Sequence, residues 1–175
     1  STTRTLFAQV MRGVGRDPKG DGKKKGGLKV HMLTDVHADT AIFAKISEAK
    51  MHDKKFLAHL NPGKGSMLVF DKAYNFYQQF AQWTEEGVNF VCRLKDNAKV
   101  QLQEVLFEKT LQKEESGVYK VEHIHLEYKK DKRPEILCLR LVYYKDEQGR
   151  KYKFITNNWE ISPEEVALIY KYRWT

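Results

Sequence analysis

Ser66-Met67-Leu68-Val69-Phe70-Asp71 places four consecutive apolar residues directly before a single carboxylate. A short apolar run of this kind predicts a buried, central strand of an α/β sheet, with Asp71 delivered to the rim where such proteins build their sites. Downstream, Phe76, Phe80 and Trp83 recur at helical spacing between about Asn75 and Glu86, and Gly87 supplies a C-terminal stop. Val88 to Leu94 then reads as a second strand, so the segment is a strand-helix-strand unit.

Working outward, Ser1 to Arg12 is mixed, and Leu6, Phe7, Val10 and Met11 suit a short helix or an irregular strand. Leu28 to Asp35 alternates apolar and polar residues. With a turn at His37-Ala38-Asp39 and a strand over Thr40 to Glu48, it predicts a hairpin. His52 to Leu60 reads as a short amphipathic helix ended by Asn61-Pro62-Gly63. Beyond Lys99 the chain turns β-rich. Val118 to Tyr128, Pro134 to Tyr144 and Lys151 to Ile155 are strand-like, with a turn at Asp146-Glu147-Gln148-Gly149, while Gln101 to Gln112 has the apolar spacing of a helix. A last helix opens with Ser162 as N-cap, Pro163 at its first position and Glu165 completing a capping box. No Gly, Asn or Pro follows Trp174, so the chain is expected to be part of a longer protein. The expected class is α/β, divided into a first core part over 1–95, a β-rich antiparallel insertion over 96–154 and a last core segment over 155–175.

Thirty-one Lys and Arg against 23 Asp and Glu leave a net charge of +8, which favours a polyanionic partner. Arg12, Arg16, Lys19, Lys23, Lys24, Lys25 and Lys29 fall in one Gly-rich stretch, opposed only by Asp17 and Asp21. That stretch reads equally as a phosphate-binding loop or as a solvated one. Apolar stretches are too short for a membrane span, and no basic head with a hydrophobic run marks a signal peptide, so an intracellular, cytoplasmic protein is expected. Cys92 and Cys138 both lie in strand-like runs and are expected to be reduced and packed.

Three segments carry a family resemblance. Tyr170-x-x-Arg173 resembles the first half of the Tyr-Arg-Glu-Lys signature of bacterial insertion-sequence transposases with a DDE triad. Asp71-Lys72-Ala73-Tyr74-Asn75-Phe76 is similar to their second motif, and Ser1-Thr2-Thr3 to the residues that follow their first catalytic Asp. The resemblance spans essentially the whole chain. It implies a ribonuclease-H-like mixed sheet with a β insertion before the helix that bears the Glu. It also implies a catalytic core that cleaves strands at transposon ends and transfers the freed 3′-OH to target DNA. The first Asp would precede Ser1 and the Glu would lie two places beyond Thr175, so of three metal-binding acids this piece keeps only Asp71 and is expected to be inactive alone. Two Mg²⁺ or Mn²⁺ ions in the intact parent, double-stranded DNA as partner, a homodimer in the active complex and nucleoid association when acting are further implications.

A single Asp at a strand end reads first as a turn or cap residue, and it is the resemblance, with the need of phosphoryl chemistry for carboxylates converging on two hard cations, that makes Asp71 the candidate catalytic residue and metal ligand. Tyr170 and Arg173 share one helix face, and the resemblance implies that they contact the DNA end; Lys23, Lys24 and Lys25 of the basic loop are further candidate DNA contacts. The plainer reading packs Tyr170 in the core and leaves Arg173 exposed. The six histidines, His123 and His125 among them, lack a third ligand at zinc spacing and read as structural. No P-loop and no nucleophile elbow is present. Tyr143-Tyr144-Lys145 and Tyr152-Lys153-Phe154 fit base stacking, but a β core accounts for them more simply. A non-catalytic DNA-binding or assembly module and a ribonuclease-H-like nuclease unrelated to mobile elements are the competing functions.

Overall fold

The computed structural model describes residues 2–6, 26–35, 40–48 and 51–172. The chain forms two compact units, Ser1–Leu60 and Asn61–Thr175. The predicted turn at 37–39, most of the basic loop and residues 173–175 lie outside the described residues.

In the first unit, β1 (Thr2–Leu6), β2 (Gly26–Asp35) and β3 (Thr40–Glu48) form an antiparallel sheet in the order β1-β2-β3. The expected hairpin is therefore present, and Thr2–Leu6 form a strand, while Phe7, Val10 and Met11 of that first segment lie outside the described residues. A bulge between Leu33 and Thr34 shifts the β2–β3 register. His52 to Leu60 folds as a 3-10 helix over Asp53–His59 and buries Phe56 and Leu57. Phe56 stacks on buried His31 with ring centroids 5.0 Å apart.

The second unit holds a six-stranded mixed sheet. Its strands are β4 (Met67–Phe70), β5 (Asn89–Arg93), β6 (Val100–Glu108), β7 (Gly117–Lys130), β8 (Arg133–Lys145) and β9 (Lys151–Thr156), in the order β4-β5-β9-β8-β7-β6. β4 and β5 are parallel and every other pairing is antiparallel. Helices α1 (Tyr77–Glu85) and α2 (Pro163–Tyr172) complete the unit. Side chains alternate across a strand, and that alternation assigns the helices to opposite faces. Phe90 of β5 meets Phe80 of α1 at 4.4 Å between ring centroids, whereas its neighbour Val91 joins Phe154 and the α2 residues Val166, Ala167 and Tyr170. In β4, Phe70 stacks on Trp83 at 5.6 Å while Met67 and Val69 pack toward the α2 cluster. The result is an α/β architecture consistent with a ribonuclease-H-like fold.

Three expectations are corrected. β4 stands at one end of the six-strand order rather than in the middle. Its four apolar residues report helices over both faces, a condition that an end strand also meets. Gln101 to Gln112 is not a helix, because β6 pairs with β7 over Val100–Glu108. Bulges between Leu102 and Glu104 and between Val105 and Phe107 break the two-residue alternation, so the apolar residues fall three apart as on a helix face. Cys138 is exposed, while Cys92 is packed as expected. Cys138 shares its sheet face with buried Arg140 and Val142 on one side and exposed Ile136 on the other, so the cover over that face ends between Arg140 and Cys138.

The α1 stop forms as its glycine predicts. Gly87 adopts φ +73°, its N–H donates to Thr84 O at 3.2 Å, and Val88 N–H donates to Trp83 O at 2.8 Å, the two bonds of a Schellman cap.

Candidate active site

Asp71 follows β4 directly and caps a short 3-10 turn over Lys72–Tyr74, with its Oδ1 accepting from Lys72 N–H at 2.7 Å. An acid fits there because a carboxylate satisfies the orphan amide at the start of a helical turn. The backbone of Asp71 is extended, so the chain keeps the strand direction up to the carboxylate and turns only afterwards.

The turn is clamped to the end of β5. Asn75, buried, donates from Nδ2 to Arg93 O at 2.8 Å and to Cys92 Sγ at 3.0 Å, and its Oδ1 accepts from Lys95 N–H at 3.2 Å. The Cys92 thiol donates in turn to Asp71 O at 3.5 Å. The loop after β4 and the loop after β5, joined through one amide and one thiol, therefore hold Asp71 in place.

Helix α2 reaches the same point from the far end of the chain. Ser162 and Glu165 close the capping box reciprocally, Glu165 N–H to Ser162 Oγ at 3.1 Å and Ser162 N–H to Glu165 Oε2 at 2.6 Å, and the Ser162 N–H, with the Ser162 hydroxyl adding to it, lowers the Glu165 pKa. Val166, Ala167 and Tyr170 are the buried residues of α2, spaced as one helix face requires. Tyr170 packs its ring 4.6 Å from that of Phe154, and its hydroxyl donates to Asp71 Oδ1 at 3.3 Å. Core packing and the approach to Asp71 are thus not alternatives: the ring serves one and the hydroxyl the other.

Around this point the surface is basic. Lys72 pairs with exposed Asp96 at 3.3 Å, and the hydrogen bond from Lys72 lowers the Asp96 pKa. Arg93 lies 5.1 Å over the Tyr152 ring. Asn75, Tyr77, Lys95 and Lys99 line an open cleft of about 510 Å³. Burial pushes the Tyr77 hydroxyl up to about 12, with the neighbouring Cys92 adding to the shift.

Of the residues named from the sequence, Asp71 and Tyr170 are brought together. Arg173, Lys23, Lys24 and Lys25 lie outside the described residues. Asn75 and Cys92 were not anticipated, because neither the asparagine nor the thiol shows its partner until β4 and β5 are side by side. The Tyr144, Tyr152 and Phe154 rings pack against one another and the α2 cluster, in agreement with the β-core reading of those aromatic runs.

Comparison with known proteins places the chain in a family. Residues 8–175 match the family described as Transposase DDE domain. The chain is also similar to "Putative transposase y4zB" of Sinorhizobium fredii, at 25% identity over 156 residues that cover 89% of this chain and 43% of that protein. It therefore spans less than half the length of that relative. With residues 8–175 inside the family match, the chain belongs to the DDE-domain transposases.

Proposed function

We propose that the protein containing this chain is an insertion-sequence transposase of the group with the Tyr-Arg-Glu-Lys signature. It cleaves DNA strands at the element's ends and joins the freed 3′-OH to target DNA. The observation that carries this reading is the hydrogen bond from Tyr170 to Asp71, which joins the segments of the second and third motifs across 99 residues of sequence.

In this reading Asp71 is the catalytic carboxylate of the described residues and binds Mg²⁺ or Mn²⁺. Its donor chemistry fits, since hard cations take carboxylate oxygens. When bound, a pair of such ions supplies charge neutralisation at the attacking and leaving oxygens of phosphoryl transfer. Lys72 N–H and the Tyr170 hydroxyl both reach Oδ1, so they orient the carboxylate. Tyr170 and Arg173 contact the DNA end, Arg173 through a two-pronged bond to phosphate. Lys23, Lys24 and Lys25 lie along the backbone of double-stranded DNA. Among the described residues no group of three metal-ligating side chains includes Asp71. The reading expects two further acids to complete the metal site. The parent acts as a homodimer in the bacterial cytoplasm, on the nucleoid. Among the described residues no helix is long and apolar enough to cross a membrane.

The test sets the intact protein and its Asp71→Asn variant against labelled end-sequence DNA with Mg²⁺ or Mn²⁺. Metal-dependent nicking by the parent and none by the variant is the expected result, because the amide keeps the shape and loses the charge. Cleavage retained in the variant removes Asp71 from the chemistry.

A further inference from the structure

His123 and His125 lie two apart on β7 and so project from one face, and the register places Cys138 of β8 directly opposite His125. Nitrogens of both imidazoles and the Cys138 sulfur lie within 4.8 Å of one another. This face is the α2 side of the sheet, since Val121, two residues before His123, joins the α2 cluster. The transposase reading uses none of the three residues, and Asp71 is not among them.

A second observation points to a ligand. Nε2 of His123 is buried and has no hydrogen-bond partner. A buried imidazole nitrogen without a partner is destabilising, and coordination would relieve that. The His123 ring meets Trp159 edge-on with centroids 5.3 Å apart and the His125 ring at 5.3 Å. Cys138 is exposed and both histidines half-buried, which leaves one side of the triad open to water.

We propose that His123, His125 and Cys138 form a zinc site with three protein ligands and one open position. Two imidazoles and a thiolate are the donors that thiophilic d¹⁰ cations select, whereas Mg²⁺ and Mn²⁺ prefer oxygen. Ligand atoms around tetrahedral Zn²⁺ stand roughly 3.4–3.6 Å apart, as Zn–N near 2.0–2.1 Å and Zn–S near 2.3 Å require. Arg140 faces His123 across the ladder and donates to Ile161 O at 2.6 Å. The thiolate therefore matters for charge as well as for coordination, since it offsets one unit of the cation beside a guanidinium. The bound ion ties β7 to β8 next to the loop that leads into α2.

The experiment titrates the intact, untagged protein, reduced and in the presence of Mg²⁺, with Zn²⁺ against a chromophoric chelator. Co²⁺ serves as a spectroscopic probe. One zinc per chain and a near-ultraviolet cobalt–thiolate band are expected. Cys138→Ser should abolish the band and weaken zinc at least tenfold, and His123→Gln should weaken it similarly. Cys138 is exposed, so the serine variant should melt with wild type in chelator, which separates loss of binding from loss of fold. No stoichiometric zinc uptake, uptake unchanged in the Cys138→Ser/His123→Gln double variant, or uptake of Cu⁺ without Zn²⁺ would each overturn the assignment.

Discussion

The Tyr170 hydroxyl and the Asp71 carboxylate meet at 3.3 Å although 99 residues separate them. One side chain belongs to a helix face and the other to a strand end, and the six-stranded sheet brings them together because β9, which leads into α2, pairs with β5, the neighbour of β4. The contact rests on a tyrosine whose ring is already committed to the core beside Phe154.

Tyr170→Phe isolates the hydroxyl. The ring packing stays, so the loss in stability is about 1 kcal/mol, the usual value of one hydrogen bond. Strand cleavage by the intact protein should nevertheless fall by about tenfold, as expected when about 1.4 kcal/mol of carboxylate positioning is lost. Melting curves measured alongside cleavage rates check this, and unchanged rates would confine Tyr170 to the core.

Asn75→Ala removes the clamp between the β4 and β5 loops. Arg93 O and Lys95 N–H lose their side-chain partner at a buried position. The cost should be about 2–3 kcal/mol in urea unfolding, well above that of an exposed polar substitution such as Gln103→Ala, which should stay within about 0.5 kcal/mol. Equal effects of the two substitutions would contradict the clamp.

His31 makes the first unit sensitive to acid. Burial lowers its pKa below the ordinary 6.5, outweighing the opposing pull of Asp53, whose carboxylate lies 3.7 Å from Nδ1; Lys29 and Lys45 also lower it. The unfolded chain therefore takes up the proton more readily than the folded one. The corresponding stability is present above about pH 6.5 and is lost as pH falls through the folded-state pKa. His31→Phe keeps the stack on Phe56 and removes the proton. Denaturation of both proteins at about pH 7.5 and 5.5 should show a smaller acid loss in the variant.

Basic residues of the glycine-rich loop should govern the salt dependence of DNA binding. Replacing Lys23, Lys24 and Lys25 by Ala should weaken binding and reduce the slope of log K against log salt by up to roughly 2–3, since each phosphate that a lysine neutralises adds about 0.9 to that slope. Titrations at several salt concentrations measure it, and an unaltered slope would exclude the loop from the interface.

Local patterns in the chain were enough to reveal the apolar run that ends at Asp71, the α1 stop at Gly87, the Ser162–Glu165 capping box and the long strands β7 and β8. Each depends on residues a few positions apart, and each is enforced by hydrogen bonds or burial over that same distance. Three other features required the folded chain. β6 carries bulges that make a paired strand imitate helical spacing, and only the ladder with β7 reveals it. β4 reads as central because its two faces are covered, yet which strand stands beside it is settled by pairing and not by its own four residues. The meetings of Asp71 with Tyr170, of Asn75 with Arg93 and Lys95, and of His125 with Cys138 join residues distant in sequence or in different elements. No periodicity within one segment encodes such meetings; sheet register and the packing of α2 on its face create them.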